Sequence, residues 1–89
     1  MPAPFMFMEL PVKTATRKAY EEMAQFRMDF SSIVSVLNEG YDCGMKRREG
    51  IVERCAPRKL GTIKVVVERI VSESGIPYWR VRHVGIVGR

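Results

Sequence analysis

Residues 61–88 read GTIKVVVERIVSESGIPYWRVRHVGIVG, and this stretch decides the fold. β-Branched and aromatic residues, which favour strands, fill both halves, and the Ser-Glu-Ser-Gly segment at 72–75 is typical of a tight turn. We therefore predict an antiparallel hairpin with strands at 62–71 and 78–87. This hairpin holds the only tryptophan and the only histidine of the chain, Trp79 and His83.

The residues before the hairpin predict two helices and one more strand. Apolar residues recur at helical spacing over 15–28 and 30–39; Thr14 or Thr16 caps the first helix, Asp29 caps the second, and Gly40 ends it in a left-handed conformation. Residues 51–55 form a strand that turns at 56–61. The predicted α+β fold has two N-terminal helices packed on one face of a three-stranded antiparallel meander sheet. Residues 14–89 form a single domain. Residues 1–13 form either a loose arm or a fourth, edge strand.

The predicted register places Lys64 opposite Glu53 and His83 opposite Val66. Because side chains alternate along a strand, the sheet then has two distinct faces. The face toward the helices holds Val52, Ile63, Val65, Val67, Val71, Val84 and Ile86, with Arg69, Arg80 and Arg82 at one end. The open face holds Ile51, Glu53, Cys55, Lys64, Val66, Glu68, Ile70, Trp79, Val81 and His83.

Composition limits the possible partners and the compartment. Fifteen Lys and Arg against ten Asp and Glu give a net charge of +5, which suggests an anionic partner, nucleic acid first; a basic solvated surface is the alternative. No apolar run reaches the roughly 20 residues that span a bilayer, and the N-terminus lacks a signal-peptide pattern. We expect a cytoplasmic protein without a membrane partner, in which Cys43 and Cys55 are reduced thiols rather than a disulfide.

The sequence contains no motif for binding a metal or a common cofactor. One histidine and two distant cysteines do not fit a zinc pattern, and no phosphate-binding loop or nucleophile motif is present, so we expect no cofactor and no metal. Metal-independent RNA cleavage needs only a base, an acid and cations that stabilise the phosphorane. Glu53, His83 and Lys64 are the catalytic candidates. The alternative is a plain Glu53–Lys64 ion pair beside a half-buried histidine.

Basic side chains supply candidate contacts to phosphates, and an aromatic ring supplies a candidate stacking surface. Trp79 stacks on a base in this interpretation, or else packs in the core or an interface. Exposed apolar residues on the open face would instead mark a homodimer or partner surface. The phosphate-binding candidates are Lys46, Arg47, Arg48, Arg58, Lys59, Arg80 and Arg82.

The segments NEGYD (38–42), KRREGIVERC (46–55), GTIKVVVE (61–68) and YWRVRHVG (78–85), in this order, give a layout that resembles small prokaryotic domains of the RelE-like toxin group, near the BrnT-type toxins. The resemblance covers residues 14–87. It implies an RNA-directed protein, a toxin-type endoribonuclease neutralised by an acidic antitoxin. Relatives often carry a histidine beside an alanine early in the first helix, where this chain has Lys18-Ala19. The alternatives are a non-enzymatic domain that dimerises through the open sheet face, or a non-catalytic nucleic-acid-binding module.

Overall fold

The computed structural model describes residues 5–44 and 48–87 as a mixed sheet with two helices. In this part of the chain six strands pair in the order β1-β2-β6-β5-β4-β3, and β2 runs parallel to β6. The predicted three- or four-stranded antiparallel meander is therefore wrong. The elements are β1 (Met6–Phe7), β2 (Leu10–Ala15), α1 (Arg17–Gln25), α2 (Phe30–Glu39), β3 (Tyr41–Asp42), β4 (Ile51–Arg58), β5 (Gly61–Val71) and β6 (Pro77–Val87).

The three additional strands carry weak local signals. β1 and β3 are two residues long, and each pairs with one strand at the edge of the sheet. β2 contains Pro11, which suggested an edge position because proline cannot donate to a ladder. In the structure Pro11 is opposite Met6 of β1, and the parallel ladder to β6 begins one residue later, at Val12. The proline therefore avoids the ladder that joins β2 to the rest of the sheet.

The helix caps confirm the predicted helix starts. The Thr16 side chain accepts a hydrogen bond from the Ala19 N–H, and the Asp29 carboxylate accepts one from the Ser32 N–H at 2.8 Å. Gly40 was predicted to be left-handed, but its φ of −84° is extended. Glycine is required there because a Cβ would collide with the carbonyl oxygens of Val36 and Cys55.

One hydrophobic core joins both helices to one face of the sheet. The helices bury Ala19, Met23, Ile33, Val36 and Leu37 in this core. The strands contribute Ile63, Val65, Val67, Val81 and Val84, all nearly inaccessible to solvent, together with Phe7, Val12, Ala15, Ala56 and Trp79.

A bulge in β6 changes which residues enter this core. His83 pairs with Val66 as predicted, but the next pair is Val81 with Val67, so Arg82 is an extra residue in β6. Beyond it the alternation is reversed, as expected when an unpaired residue enters one strand. Trp79 and Val81, predicted on the open face, are buried. Arg80, predicted on the helix face, pairs with Glu68 on the open face.

The two cysteines are joined in a disulfide, so the prediction of reduced thiols is wrong. The bond connects the residue after β3 to Cys55 in β4, which is almost fully buried. Stable disulfides are typical of oxidising compartments and of hyperthermophiles, and the cytoplasmic location stays a prediction. Within the described residues, neither α1 nor α2 is long and apolar enough to span a membrane.

Removing this disulfide tests its contribution to stability. Closing a loop over a sequence separation of 12 residues lowers the entropy of the unfolded chain, so we expect Cys43→Ala to lower the free energy of unfolding by about 2–3 kcal/mol. Urea denaturation measures this difference. Dithiothreitol should destabilise the wild type by a similar amount and leave Cys43→Ala unchanged. A wild-type transition that is insensitive to dithiothreitol would contradict this prediction.

Candidate functional site

The open face of the sheet, opposite the two helices, brings most ionisable residues of β4, β5 and β6 together. Glu53, Val66 and His83 form one row across the three strands. The rows on either side are Cys55–Lys64–Gly85 and Ile51–Glu68–Arg80. The candidate functional site is built on this surface, which we call the open face throughout.

The most specific polar contact of the open face involves a helix residue. The last β2–β6 pair is Ala15 with Val81, so β6 has a free edge beyond this point. Helix α1 packs beside that edge and places Glu22 there. One Glu22 oxygen accepts a hydrogen bond from the Val84 N–H at 3.0 Å, and the carboxylate lies 3.0 Å from His83 Nδ1. Sequence reasoning missed Glu22, which was not among the candidate residues.

The Glu22–His83 contact prepares the imidazole for proton transfer. A carboxylate beside Nδ1 accepts a hydrogen bond from the Nδ1–H tautomer of the neutral ring, in which Nε2 carries the free lone pair. The Glu22 side chain is only 15% exposed, whereas the His83 side chain is 40% exposed. The positioning group is thus sheltered while the ring itself is open to solvent. This is the arrangement that a general base requires.

A glycine beside His83 makes room for the ring. A Cβ at Gly85 would lie 2.9 Å from His83 Nε2, closer than such atoms approach. The imidazole therefore lies against the backbone of Gly85, two residues along the same strand. Any larger residue there would displace the ring without disturbing the hydrophobic core on the other side of the sheet.

The other two predicted catalytic residues form a separate ion pair. Lys64 Nζ is 2.8 Å from a Glu53 oxygen, but Lys64 is opposite Cys55 rather than Glu53, because the register is shifted by two residues from the predicted one. The face of each residue is unchanged by an even shift. In the described part of the chain, the polar side-chain contacts of His83 are with Glu22 and not with Glu53 or Lys64.

The predicted phosphate-binding arginines of the open face are also paired with a carboxylate. Arg80 Nε lies 2.7 Å from one oxygen of Glu68, and Arg82 Nε lies 3.9 Å from the other. Arg80 and Arg82 thus face the carboxylate of Glu68, and Lys64 faces that of Glu53, while the Glu22 carboxylate contacts His83. The open face is close to neutral, and Arg82, with 43% of its side chain exposed, is its most loosely held cation.

The remaining nucleic-acid candidates lie elsewhere. Arg58 and Lys59 are at the β4–β5 turn, and Arg48 is exposed beside the start of β4. Lys46 and Arg47 lie outside the described residues. Trp79 is 5% exposed, its ring packs against Phe7, and its Nε1–H donates to the Phe7 carbonyl at 2.8 Å. The predicted stacking of a base on Trp79 is therefore wrong for this conformation, and the core-packing alternative holds.

Comparison with known proteins gives no functional assignment, so any assignment depends on the geometry of the site. The chain matches no family model, no curated protein and no solved structure. Within residues 5–44 and 48–87, no three His, Cys, Asp or Glu side chains come together as a metal site. The RelE-like kinship stays a prediction.

The Gly85 contact gives a test of the histidine geometry. We expect Gly85→Ala to displace the imidazole and abolish a single preferred tautomer, while unfolding free energy changes by about 1 kcal/mol or less, since the imidazole can rotate away. Long-range ¹⁵N–¹H NMR of the ring nitrogens measures the tautomer. Glu22→Ala should produce the same loss by removing the acceptor. Ring signals in Gly85→Ala identical to those of the wild type would contradict this geometry.

Proposed function

We propose that this chain acts on RNA and cleaves it without a metal, with His83 as the general base and Glu22 as its positioning residue. The observation that carries the proposal is the 3.0 Å contact between the sheltered Glu22 carboxylate and Nδ1 of the exposed His83 ring. Histidine is a common general base, and an oriented imidazole can activate a hydroxyl that is a poor nucleophile without assistance.

The reaction is an intramolecular transesterification. His83 Nε2 accepts the proton of a ribose 2′-hydroxyl, and the 2′ oxygen attacks the adjacent phosphorus. The bond from phosphorus to the 5′ oxygen breaks, and that oxygen receives a proton from water. The products are a 2′,3′-cyclic phosphate and a free 5′-hydroxyl. A positioned base contributes roughly 10²–10⁴-fold to the rate of such a step.

Arg82 is the cation that this proposal assigns to the scissile phosphate. It neighbours His83 in β6, and its 3.9 Å separation from Glu68 leaves its guanidinium only weakly engaged. Arg80 and Lys64 are held at 2.7 and 2.8 Å by their carboxylates and would have to leave them to bind phosphate. Glu53 and Lys64 thus support the sheet as an ion pair in this scheme, and neither serves as the acid.

A toxin role for this activity extends the same proposal. The net charge of +5 suits a polyanionic substrate, and it also suits an acidic inhibitor protein. The RelE-like layout of the sequence supports this reading. An acidic antitoxin encoded beside this chain is the partner that we expect, and it would compete with RNA for the same side chains.

A non-enzymatic homodimer is the second candidate. Ile76 and Val71 are neighbours at the β5–β6 turn and are 58% and 53% exposed. Exposed apolar side chains of this size favour a partner surface when they form a patch. Light scattering of the purified chain separates the candidates, because a monomer at high concentration removes the homodimer.

Replacing the proposed general base, His83, tests the cleavage mechanism. We expect His83→Ala to slow cleavage of a single-stranded RNA by roughly 100-fold or more, and Glu22→Ala to slow it less, because the ring is then present but not oriented. The rate is measured by gel electrophoresis in EDTA, which should not inhibit.

Two controls accompany this experiment. Glu53→Gln should cleave within a few-fold of the wild type, and a substrate with 2′-deoxyribose at the cleaved position should resist every variant. Undiminished cleavage by His83→Ala would remove His83 from the mechanism, and full inhibition by EDTA would contradict a metal-independent reaction.

A further inference from the structure

A second polar surface lies on the helix side of the sheet, at the α1–α2 turn. It is a cleft of about 590 Å³ between that turn, α2 and the β4–β5 turn, with Ile63 contributing an apolar wall. We call it the basic cleft. Its polar lining residues are Arg27, Ser31, Ser32, Ser35, Arg58 and Lys59.

The charge of the basic cleft is not balanced. Arg58 is shared between Glu39, at 3.2 Å, and the hydroxyl of Ser35, at 3.0 Å. Arg27 and Lys59 are exposed and form no ion pair with any described residue. Among the described residues that line the cleft, none is a carboxylate. The basic cleft therefore differs from the open face, where each cation has an acidic neighbour.

The acid that caps α2, Asp29, is already engaged. Asp29 caps the helix, and the hydrogen bond from the Ser32 backbone N–H, aided by the Ser32 side chain, lowers the pKa of its carboxyl. Asp29 thus stays ionised, but it is bound to its own helix and does not line the cleft. The two free cations and the Ser31 hydroxyl remain as donors to an external ligand, because the Ser32 hydroxyl supports Asp29 and the Ser35 hydroxyl donates to Glu39 at 3.0 Å.

Arg27 occupies an unusual backbone position for a charged residue. Its φ of +54° lies in the left-handed region, where glycine is the residue without strain. Arg27→Gly therefore relieves the backbone while it removes the cation. This makes the variant a clean probe, because a loss of binding cannot be ascribed to a destabilised turn.

We propose that the basic cleft binds phosphate groups of single-stranded RNA, as a second contact for the ligand that reaches His83; this inference rests on the proposed RNA-directed function. A guanidinium and an ammonium bind phosphate oxygens as charged donors, and serine hydroxyls are common partners of the nucleic-acid backbone. The apolar wall at Ile63 offers room for a ribose or a base.

The position of the cleft along α1 favours one ligand that spans both sites. Glu22 lies in α1, and four residues of helix rise, about 6 Å, separate it from Phe26, which precedes Arg27. Ile63 at the cleft pairs with Ile86, three residues beyond His83 in β6. The cleft thus lies toward the Val87 end of β6 and the Glu22–His83 pair near the middle of that strand, so a ligand that contacts both has to pass around the end of α1.

The test compares two double variants that lose the same charge. Arg27→Gly/Lys59→Ala removes both free cations of the basic cleft. Lys13→Ala/Arg69→Ala is the matched control: Lys13 lies over the Tyr78 ring and Arg69 pairs with Trp79, at the other end of β6. The ligand is a 2′-O-methyl RNA of about 12 nucleotides, which resists cleavage and lies within the usual range of single-strand site sizes. Fluorescence anisotropy measures affinity at several salt concentrations.

We expect the cleft variant to bind at least about tenfold more weakly at low salt, and the slope of log affinity against log salt to fall by about 1.4, since each lost contact to a single strand removes about 0.7. The control should change affinity by less than about threefold. If both double variants bound the oligonucleotide equally weakly, the loss of affinity would follow from net charge alone, and the proposal would be overturned. Unchanged binding by Arg27→Gly/Lys59→Ala would overturn it as well.

Two further outcomes separate the cleft from the catalytic proposal. If His83→Ala still cleaves RNA but only the cleft variant loses affinity, the role of His83 fails and the cleft stands. If the wild type does not bind the oligonucleotide, yet inorganic phosphate shifts the amide signals of Ser31 and Ser32, the cleft takes a small phosphate and its assignment to RNA is overturned.

Discussion

The extra residue at Arg82 in β6 is the constraint on which the rest of the structure depends. Before the bulge, Val81 and Trp79 enter the core, and β2 pairs with this part of β6 up to Val81. After it, the alternation is reversed, so that Val84 is buried and His83 lies on the open face. The bulge also coincides with the end of the parallel ladder, where α1 replaces β2 beside β6. The histidine therefore stands where strand pairing ends and a helix side chain can reach it.

Glu22 satisfies two needs at this junction. Beyond the end of β2, the N–H of Val84 is on a free sheet edge, and such a group must find an acceptor when a helix covers it. Glu22 supplies that acceptor and contacts the imidazole with the same carboxylate. A carboxylate with little exposure is costly unless it is hydrogen-bonded. The two donors offset this cost, so the support of the edge and the orientation of His83 come from one interaction.

Local patterns were sufficient for part of the fold and misleading for the rest. The hairpin, the range of α2, the Asp29 cap and the Val66–His83 pair follow from alternation, capping and turn residues, which act over a few positions. The parallel pairing of β2 with β6 depends on contacts more than sixty residues apart, and Pro11 argued against it.

Strict alternation also failed at Val81-Arg82-His83-Val84, where the apolar residues are three positions apart. That spacing was the available signal of a bulge, and a predicted bulge would have placed Trp79 in the core. Glu22 had no comparable signal, because its role exists only once α1 is placed beside the edge of β6.

The residues proposed for catalysis and those proposed to attract RNA lie on surfaces with different charge. On the open face each cation lies near a carboxylate, and such pairs produce little field at the distances over which a polyanion is drawn in. The Glu22–His83 pair therefore acts on a phosphodiester that has already arrived. The attraction must come from cations that form no ion pair, and Arg27 and Lys59 in the basic cleft meet this condition. Neutral surroundings suit a base, because a strong positive field would oppose its protonation, whereas a binding cleft gains from an unbalanced charge. A small basic domain can combine a base in neutral surroundings with a positively charged cleft only if the two are separated, and the turn after α1 separates them here.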